Sequence, residues 1–190
     1  EETNAVNPRA GNLWGQIVEL TPEGRDHASE NFTWTMLVKC GDPMFPAIGA
    51  EWHPEAGRNN WFACPDNMAV DRKGRLWVAT DQGSGWNAAS SSADGLYALA
   101  TTGEKRGLAR RIFRAPVGAE VCGPCFTPDG TTLFLAVQHP GADGTKNFKG
   151  FERASTFDDP ATRWPDFASD MPPRPSVVVI TAKKGGPVGG

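Results

Sequence analysis

The sequence predicts an all-β fold, and three observations carry that prediction: dense turn punctuation, a hairpin that is written twice, and a third strand that returns at near-constant spacing. The chain uses 22 Gly and 16 Pro in 190 residues, more than a compact helical protein needs. Such punctuation favours many short strands joined by tight turns. Hydrophobic residues make up 39% of the chain, which with the glycines is the ordinary share for a globular core.

The hairpin is visible in Asp71-Arg-Lys-Gly-Arg-Leu-Trp-Val-Ala-Thr80 and again in Thr127-Pro-Asp-Gly-Thr-Thr-Leu-Phe-Leu-Ala-Val137. Gly74 matches Gly130 at an offset of 130 − 74 = 56, and after one extra residue Leu76-Trp-Val-Ala79 matches Leu133-Phe-Leu-Ala136. In each copy a turn with Gly at a left-handed position precedes a short apolar run, the mark of a buried strand in a repeated β unit. The strands Gly15–Leu20, Gly95–Ala100 and Ser176–Thr181 recur at intervals of 95 − 15 = 80 and 176 − 95 = 81. If the hairpin supplies strands one and two of a unit, these supply strand three. Phe32–Lys39 and Ala109–Arg114 then supply strand four of the first two units.

Four-stranded antiparallel units repeating with Gly/Asp turns describe the blade of a β-propeller. The expected architecture is therefore a fragment of a β-propeller over 1–190, with one complete four-stranded blade flanked by two incomplete blades. The end of one blade falls in 1–45, the complete blade in 62–116, and the following blade in 120–183. Two stretches interrupt the pattern, 46–60 and 146–175. The second, rich in Pro, Asp and aromatic residues, is too long for an ordinary connection. It reads as an ordered loop anchored by Trp164 and Phe167.

A net charge of −3 with both signs interspersed offers no basic stripe for nucleic acid, and no apolar run is long enough to cross a bilayer. A small-molecule or metal partner fits better. The opening EETNAVNPRAGN has neither the charged start nor the apolar centre of a signal peptide. A chain that opens in mid-pattern reads as part of a longer protein.

The four cysteines stand at 40, 64, 122 and 125, the last two in Glu120-Val-Cys-Gly-Pro-Cys125. A redox dithiol of this spacing needs a helix after it, and Pro128 and Gly130 occupy the first turns of that helix. A structural zinc needs a second CxxC or a His pair. Buried free thiols behaving as small hydrophobes remain the simpler reading, with a disulfide open to an exported chain.

Strands that begin a blade line the central channel, which singles out Asp66 and Asn67 in one blade and Glu120 in the next. These hard oxygen donors could converge on Ca²⁺ or a similar cation. An Asx turn capping the backbone explains Asp66-Asn67 equally well. Glu120, in apolar surroundings, requires a partner if buried. Asp81, after Trp77-Val-Ala-Thr80, is either a loop-facing ligand or a turn residue. His27, His53 and His139 lie in loops or turns without a His or Asp at recognisable spacing. No triad, GxSxG or phosphate-cradling loop is present, and no catalytic residue is assigned.

Taken in order, Asn7-Pro-Arg9, Gly15-Gln-Ile17, Asp26-His-Ala28, Phe32-Thr-Trp34, Gly41-Asp-Pro43, Pro65-Asp-Asn67, Gly74-Arg-Leu-Trp77 and Thr80-Asp81 resemble the C-terminal part of PhoX-type alkaline phosphatases. Glu120-Val-Cys-Gly-Pro-Cys125, Phe126-Thr-Pro-Asp-Gly130, Gln138-His-Pro-Gly141, Arg163-Trp-Pro-Asp-Phe167 and Pro173-Arg-Pro-Ser-Val177 continue the series. The resemblance implies an exported, periplasmic or secreted hydrolase of phosphomonoesters, built as a six-bladed propeller whose channel holds iron and calcium. It implies that Asp66, Asn67, Glu120 and Asp81 face that metal centre. The earlier blades of such an enzyme are missing, so the chain alone is expected to bind incomplete metal or none and to lack turnover. Two other classes stay open: a calcium-dependent lactonase-like propeller, and a non-catalytic propeller that binds a partner on its loops. Open blade edges invite self-association.

Overall fold

The structure, a computed structural model, describes residues 2–83 and 94–190. Glu1 and the stretch 84–93 of the expected blade 62–116 lie outside the described residues. Within them run nine strands: β1 (Gln16–Pro22), β2 (Phe32–Lys39), β3 (Pro65–Val70), β4 (Leu76–Thr80), β5 (Gly95–Leu99), β6 (Ala109–Arg114), β7 (Glu120–Phe126), β8 (Thr132–Gln138) and β9 (Ser176–Thr181). They form three antiparallel sheets, ordered β1-β2, β3-β4-β5-β6 and β7-β8-β9. The fold is all-β: one complete four-stranded propeller blade between two incomplete ones.

The repeated turn explains the repeated hairpin. Between β3 and β4 the Gly74 amide donates to the Asp71 carbonyl at 2.9 Å, and between β7 and β8 the Gly130 amide donates to the Thr127 carbonyl at 2.8 Å. Both glycines have positive φ, 76° and 72°, where any other L-residue is strained. The side chains that brace the two turns differ. Asp71 accepts from the Lys73 and Arg75 amides at 2.8 and 3.0 Å, from Arg75 Nε at 2.6 Å and from Trp77 Nε1 at 2.8 Å. Thr127 takes its place in the second copy, its hydroxyl accepting from the Thr132 amide at 3.1 Å.

β4 and β5 are buried on both faces, so their side chains divide by period two. Trp77, Ala79, Leu96 and Ala98 face the third sheet and meet Val121, Leu133, Leu135 and Val137. Val78, Tyr97 and Leu99 face the first sheet and meet Ile17, Val38, Cys40 and Phe62. Trp77 packs edge-on against Phe126 of β7 at 5.1 Å between ring centroids. Phe62, which precedes β3, is packed between Trp52 at 4.9 Å and Tyr97 at 5.0 Å.

The residues after β9 return to the groove between the second and third sheets. Val188 is buried in their shared core and donates its amide to the Gly130 carbonyl at 2.9 Å. Gly189 lies against the Trp77 ring so closely that a Cβ there would stand 2.9 Å from Cζ2. In the long insertion Trp164 packs on the same core. Phe167, the other expected anchor, is instead 72% exposed. Its neighbour Asp166 pairs with Arg174 at 2.7 Å, so an ion pair replaces apolar anchoring at that end of the loop.

Asp71 joins the turn, Arg75 and the indole of a fully buried Trp77. Asp71→Ala leaves the indole N–H without its acceptor and is expected to lower stability by about 2–4 kcal/mol, and Asp71→Asn, which keeps an acceptor oxygen, by less than half of that. Urea unfolding of the two variants checks the order.

Candidate active site

The first strands of the second and third sheets, β3 and β7, pack side by side and carry Asp66, Asn67 and Glu120 at their N-terminal ends, while Asp81 follows β4. The neighbouring second strands β4 and β8 close over the same end, with Pro65 opposite Thr80 and Glu120 opposite Gln138. Asp66 is exposed and Asn67 half-buried. Asn67 Oδ1 accepts from the Gly123 amide at 2.9 Å, so this side chain bridges two blades and caps no turn of its own. Gly123 has φ +60° and lies in the bulge between Cys122 and Cys125, which turns its amide out of the ladder.

Glu120 is largely enclosed, its side chain 15% exposed. Gln138 Nε2 donates to its Oε1 at 2.8 Å, and His139 Nε2 lies 3.3 Å from its Oε2. The partner that a buried glutamate requires is thus the dipeptide Gln138-His139 at the end of β8. His139 had no partner at a recognisable spacing in sequence. In the structure it has two: Glu120, because β7 and β8 pair antiparallel and bring residues 18 and 19 positions away beside it, and Asp143, only four positions along the chain. His139 Nδ1 also faces the Gly118 carbonyl at 3.2 Å and Asp143 at 3.8 Å. Burial alone would lower the pKa of His139, but the Gly118 carbonyl, Glu120 and Asp143 outweigh it and raise the value above the usual one. Both contacts at the shorter distances are acceptors, and the ring satisfies both only as an imidazolium.

Asp81 is exposed and begins the loop after β4, its amide donating to the Cys64 carbonyl at 3.2 Å. The sequence reading passed over Asp94, just across that loop. Only 2% exposed, Asp94 accepts from Thr80 Oγ1 at 2.6 Å and from the Gln82 amide at 2.7 Å. Burial raises its pKa to about 6, against the pull of those two donors. The signal in sequence was an Asp-Gly pair at the entry to a buried third strand. Beside it Cys64, held at φ +48°, has its thiol pushed up to about 11 by burial and by the nearby Asp94 and Asp81 charges.

Of the four cysteines, all of them free thiols, only Cys40 is fully buried. Cys64 and Cys122 are half-buried and Cys125 is exposed, which corrects the expectation of four buried hydrophobes. Cys122 and Cys125 stand on one face of β7, opposite Ala136 and Phe134. Among the described residues no three of His, Cys, Asp and Glu come together as a group able to hold a metal ion. β3 and β7 bring Asn67 and Glu120 to neighbouring strands, while Asp66 and Asp81 are open to solvent.

Blades packed face to face, with first strands side by side and oxygen-rich ends, define a segment of a β-propeller. The family profile described as "Alkaline phosphatase PhoX" matches residues 1–141. The solved structure of Pseudomonas fluorescens PhoX in complex with vanadate, a transition state analogue, aligns with a TM-score of 0.76 and 33% identity over 97% of this chain. Among the curated proteins none matches. The chain belongs to the PhoX alkaline phosphatase family, and it spans 29% of the length of that solved PhoX chain.

Asp94 is a buried aspartate whose folded pKa lies above its unfolded value, so ionising it costs stability. The penalty is absent below about pH 4 and complete above about pH 6. Asp94→Asn keeps the acceptor for Thr80 and Gln82 and cannot ionise. It is expected to be more stable than the parent at pH 8, on the order of 3 kcal/mol at most, with the difference closing at pH 4. Urea unfolding at the two pH values measures this, and a less stable variant at pH 8 would refute it.

Proposed function

We propose that the chain is the channel-lining C-terminal part of an exported, metal-dependent phosphomonoester hydrolase, in which Asp66, Asn67, Glu120 and Asp81 contribute ligands to a channel centre of calcium and iron. The observation that carries this reading is Glu120: a largely enclosed carboxylate at the start of a first strand, with Gln138 Nε2 donating to one oxygen and His139 Nε2 lying 3.3 Å from the other. Family membership supplies the reaction class. In the Pseudomonas fluorescens relative the bound vanadate is a transition state analogue, and vanadate imitates the five-coordinate geometry of phosphoryl transfer.

The donor set fits hard cations in kind, since carboxylate and amide oxygens suit calcium and ferric iron. It does not fit them in number, because no three potential ligands among the described residues form a group. The chain therefore supplies part of a coordination shell, and the rest of the ring supplies the remainder. Bound there, the cations would provide the positive charge that offsets charge developing on the transferring phosphoryl group.

What this chain's own residues do is narrower. Glu120 presents a carboxylate whose orientation is set by Gln138 and His139. Asn67 locks β3 to β7 through Gly123, which keeps the two ligand-bearing strands at one level. Asp81 and the solvent-facing Asp66 add negative charge that holds cations close to the strand ends. No helix among the described residues is long and apolar enough to cross a membrane.

Alone, the chain exposes apolar side chains on both outer faces. Leu20, Phe32 and Trp34 stand out on the first sheet, and Phe134, Val177 and Val179 on the third. In a complete ring the neighbouring blades cover these faces, so the isolated chain self-associates and turns over no generic phosphomonoester.

The test is made on the full-length protein. Metal content by mass spectrometry and phosphomonoester hydrolysis are measured for the parent and Glu120→Gln. Loss of metal together with a fall of roughly 100-fold or more in kcat/KM is expected, in line with losing a ligand or an electrostatic group at such a centre. A variant that keeps its full metal content and activity would remove Glu120 from the centre. A metal-free, inactive parent would reject the function.

A further inference from the structure

A cavity separate from the candidate active site lies at the far ends of β3 and β7. Val70 and Phe126 are the last residues of those strands, whose first residues, Pro65 and Glu120, stand at the site end. The cavity has a volume of about 270 Å³, near the lower limit for clefts that hold small organic ligands. We propose that it binds a small amphipathic anion: one short apolar chain or a single ring, ended by a carboxylate. The apolar part lies inside, and Arg72 and Lys73 hold the carboxylate at the rim. Neither the metal centre nor the phosphatase reaction has any part in this binding.

The walls come from the way two blades pack. The β3–β4 turn forms one side, the β7–β8 turn the other, and the returning chain at Pro187-Val188 closes the gap between them. That third wall is fixed, because the Val188 amide donates to the Gly130 carbonyl at 2.9 Å and its side chain enters the core shared by the second and third sheets. Phe126 is fixed as well, edge-on against Trp77. Val70, Pro128 and Pro187 complete an apolar lining. Val70 is 65% exposed, so an apolar chain laid against it takes surface out of water, which is favourable.

Four charged residues line the cavity, Asp71, Arg72, Lys73 and Arg75, and their tasks differ. Asp71 and Arg75 are committed to the fold: Asp71 accepts from Arg75 Nε and Trp77 Nε1, and Arg75 also donates to the Gly189 carbonyl. Arg72 and Lys73 are exposed and have no side-chain hydrogen bond or ion pair among the described residues. The stem of Arg72 reaches toward the opposite turn, where its Cδ would stand 3.8 Å from a Cβ on Gly130. The carboxylate on that turn, Asp129, does not line the cavity and accepts from the Thr127 and Thr131 hydroxyls at 2.6 and 2.9 Å. Two uncommitted cations therefore stand at the rim of an apolar cleft. A guanidinium pairs with a carboxylate through two parallel N–H···O bonds. Apolar walls with a few placed charges select a ligand that carries both characters. The volume is too small for a protein segment or a two-chain lipid.

Octanoate is the probe, titrated by calorimetry into the full-length protein. Octanol keeps the chain without the charge, and acetate keeps the charge without the chain. Octanoate is expected to bind at least about tenfold more tightly than either, since hydrogen bonds to a charged group contribute on that scale. Arg72→Ala should weaken octanoate by about tenfold or more. Lys73→Ala, which removes a point charge open to solvent, should weaken it by about threefold. Val70→Asp, which sets a carboxylate against the ligand, should abolish binding. All three positions are exposed, and an unchanged thermal midpoint confirms that each variant folds. Glu120→Gln, at the opposite strand ends, should bind octanoate like the parent.

Octanoate binding weaker than about 10 mM would overturn the proposal, because the cavity would then be closed or covered in the full-length protein. Equal affinity for octanol would remove Arg72 and Lys73 from the site, and equal affinity for acetate would remove the apolar walls; either result overturns it. Parental affinity in both Arg72→Ala and Val70→Asp, or a loss in Glu120→Gln as large as that in Arg72→Ala, would place the ligand elsewhere and overturn it too.

Discussion

A sheet buried on both faces is the constraint on which the rest of this structure depends. β4 and β5 present Trp77, Ala79, Leu96 and Ala98 to one neighbour and Val78, Tyr97 and Leu99 to the other. Burial of a large apolar side chain is worth about 1.5–3 kcal/mol, and Trp77, Tyr97, Leu96, Leu99 and Val78 are almost wholly inaccessible. Neither face can be satisfied by the blade itself. The middle blade therefore holds its neighbours in place and is held by them, which sets the level at which β3 and β7 meet. The polar ends of those strands inherit their relative position from an apolar contact further out along the blade, and Asn67 needs only one hydrogen bond to Gly123 to lock it.

The same constraint accounts for what lies on the outside. Leu20 and Trp34 are paired across β1 and β2, and Phe134 and Val179 across β8 and β9, yet all four are substantially exposed. On the inner side the gap left between the second and third sheets is filled locally, where Val188 and Gly189 lie against Gly130 and Trp77. That packing tolerates no side chain at position 189 without displacing the Trp77 ring or Arg75. Turn, indole and returning chain form one unit through Arg75, which donates to Asp71 and to the Gly189 carbonyl.

Most of the strand order was legible in the sequence because it is written locally. A glycine turn followed by an apolar run is set by φ and by period two, and both survive without tertiary information. That is why the hairpins at Gly74 and Gly130 and the strands at Gly95 and Ser176 could be placed. The site was legible only in part. Glu120 stood out because a carboxylate in an apolar strand demands a partner, but the partner could not be named. Gln138 and His139 become its neighbours through the β7–β8 register, and register is fixed by which side chains face the core. Asp94 was missed for a related reason. Its burial follows from the packing of β5 against two other sheets, and an Asp-Gly pair looks the same in sequence whether it ends in solvent or in the core. Phe167 shows the converse, since aromatic character suggested an anchor where an Asp166–Arg174 pair does the holding.

Glu120-Val-Cys-Gly-Pro-Cys125 shows how far local sequence can mislead when its setting changes. A thiol in a CxxC motif is activated by a following helix, whose N-terminus stabilises the thiolate. Here the motif is a strand, with a bulge at Gly123-Pro124 between its two cysteines. The bulge frees the Gly123 amide for Asn67 and leaves Cys122 facing Gln138. Three features of the motif are thereby used: the glycine for an interblade bond, the first cysteine as an acceptor for Gln138, and the glutamate two residues before it as the enclosed carboxylate. The spacing that suggests redox chemistry in a helical setting serves, in a first strand, to place a bulge whose free amide ties β7 to β3.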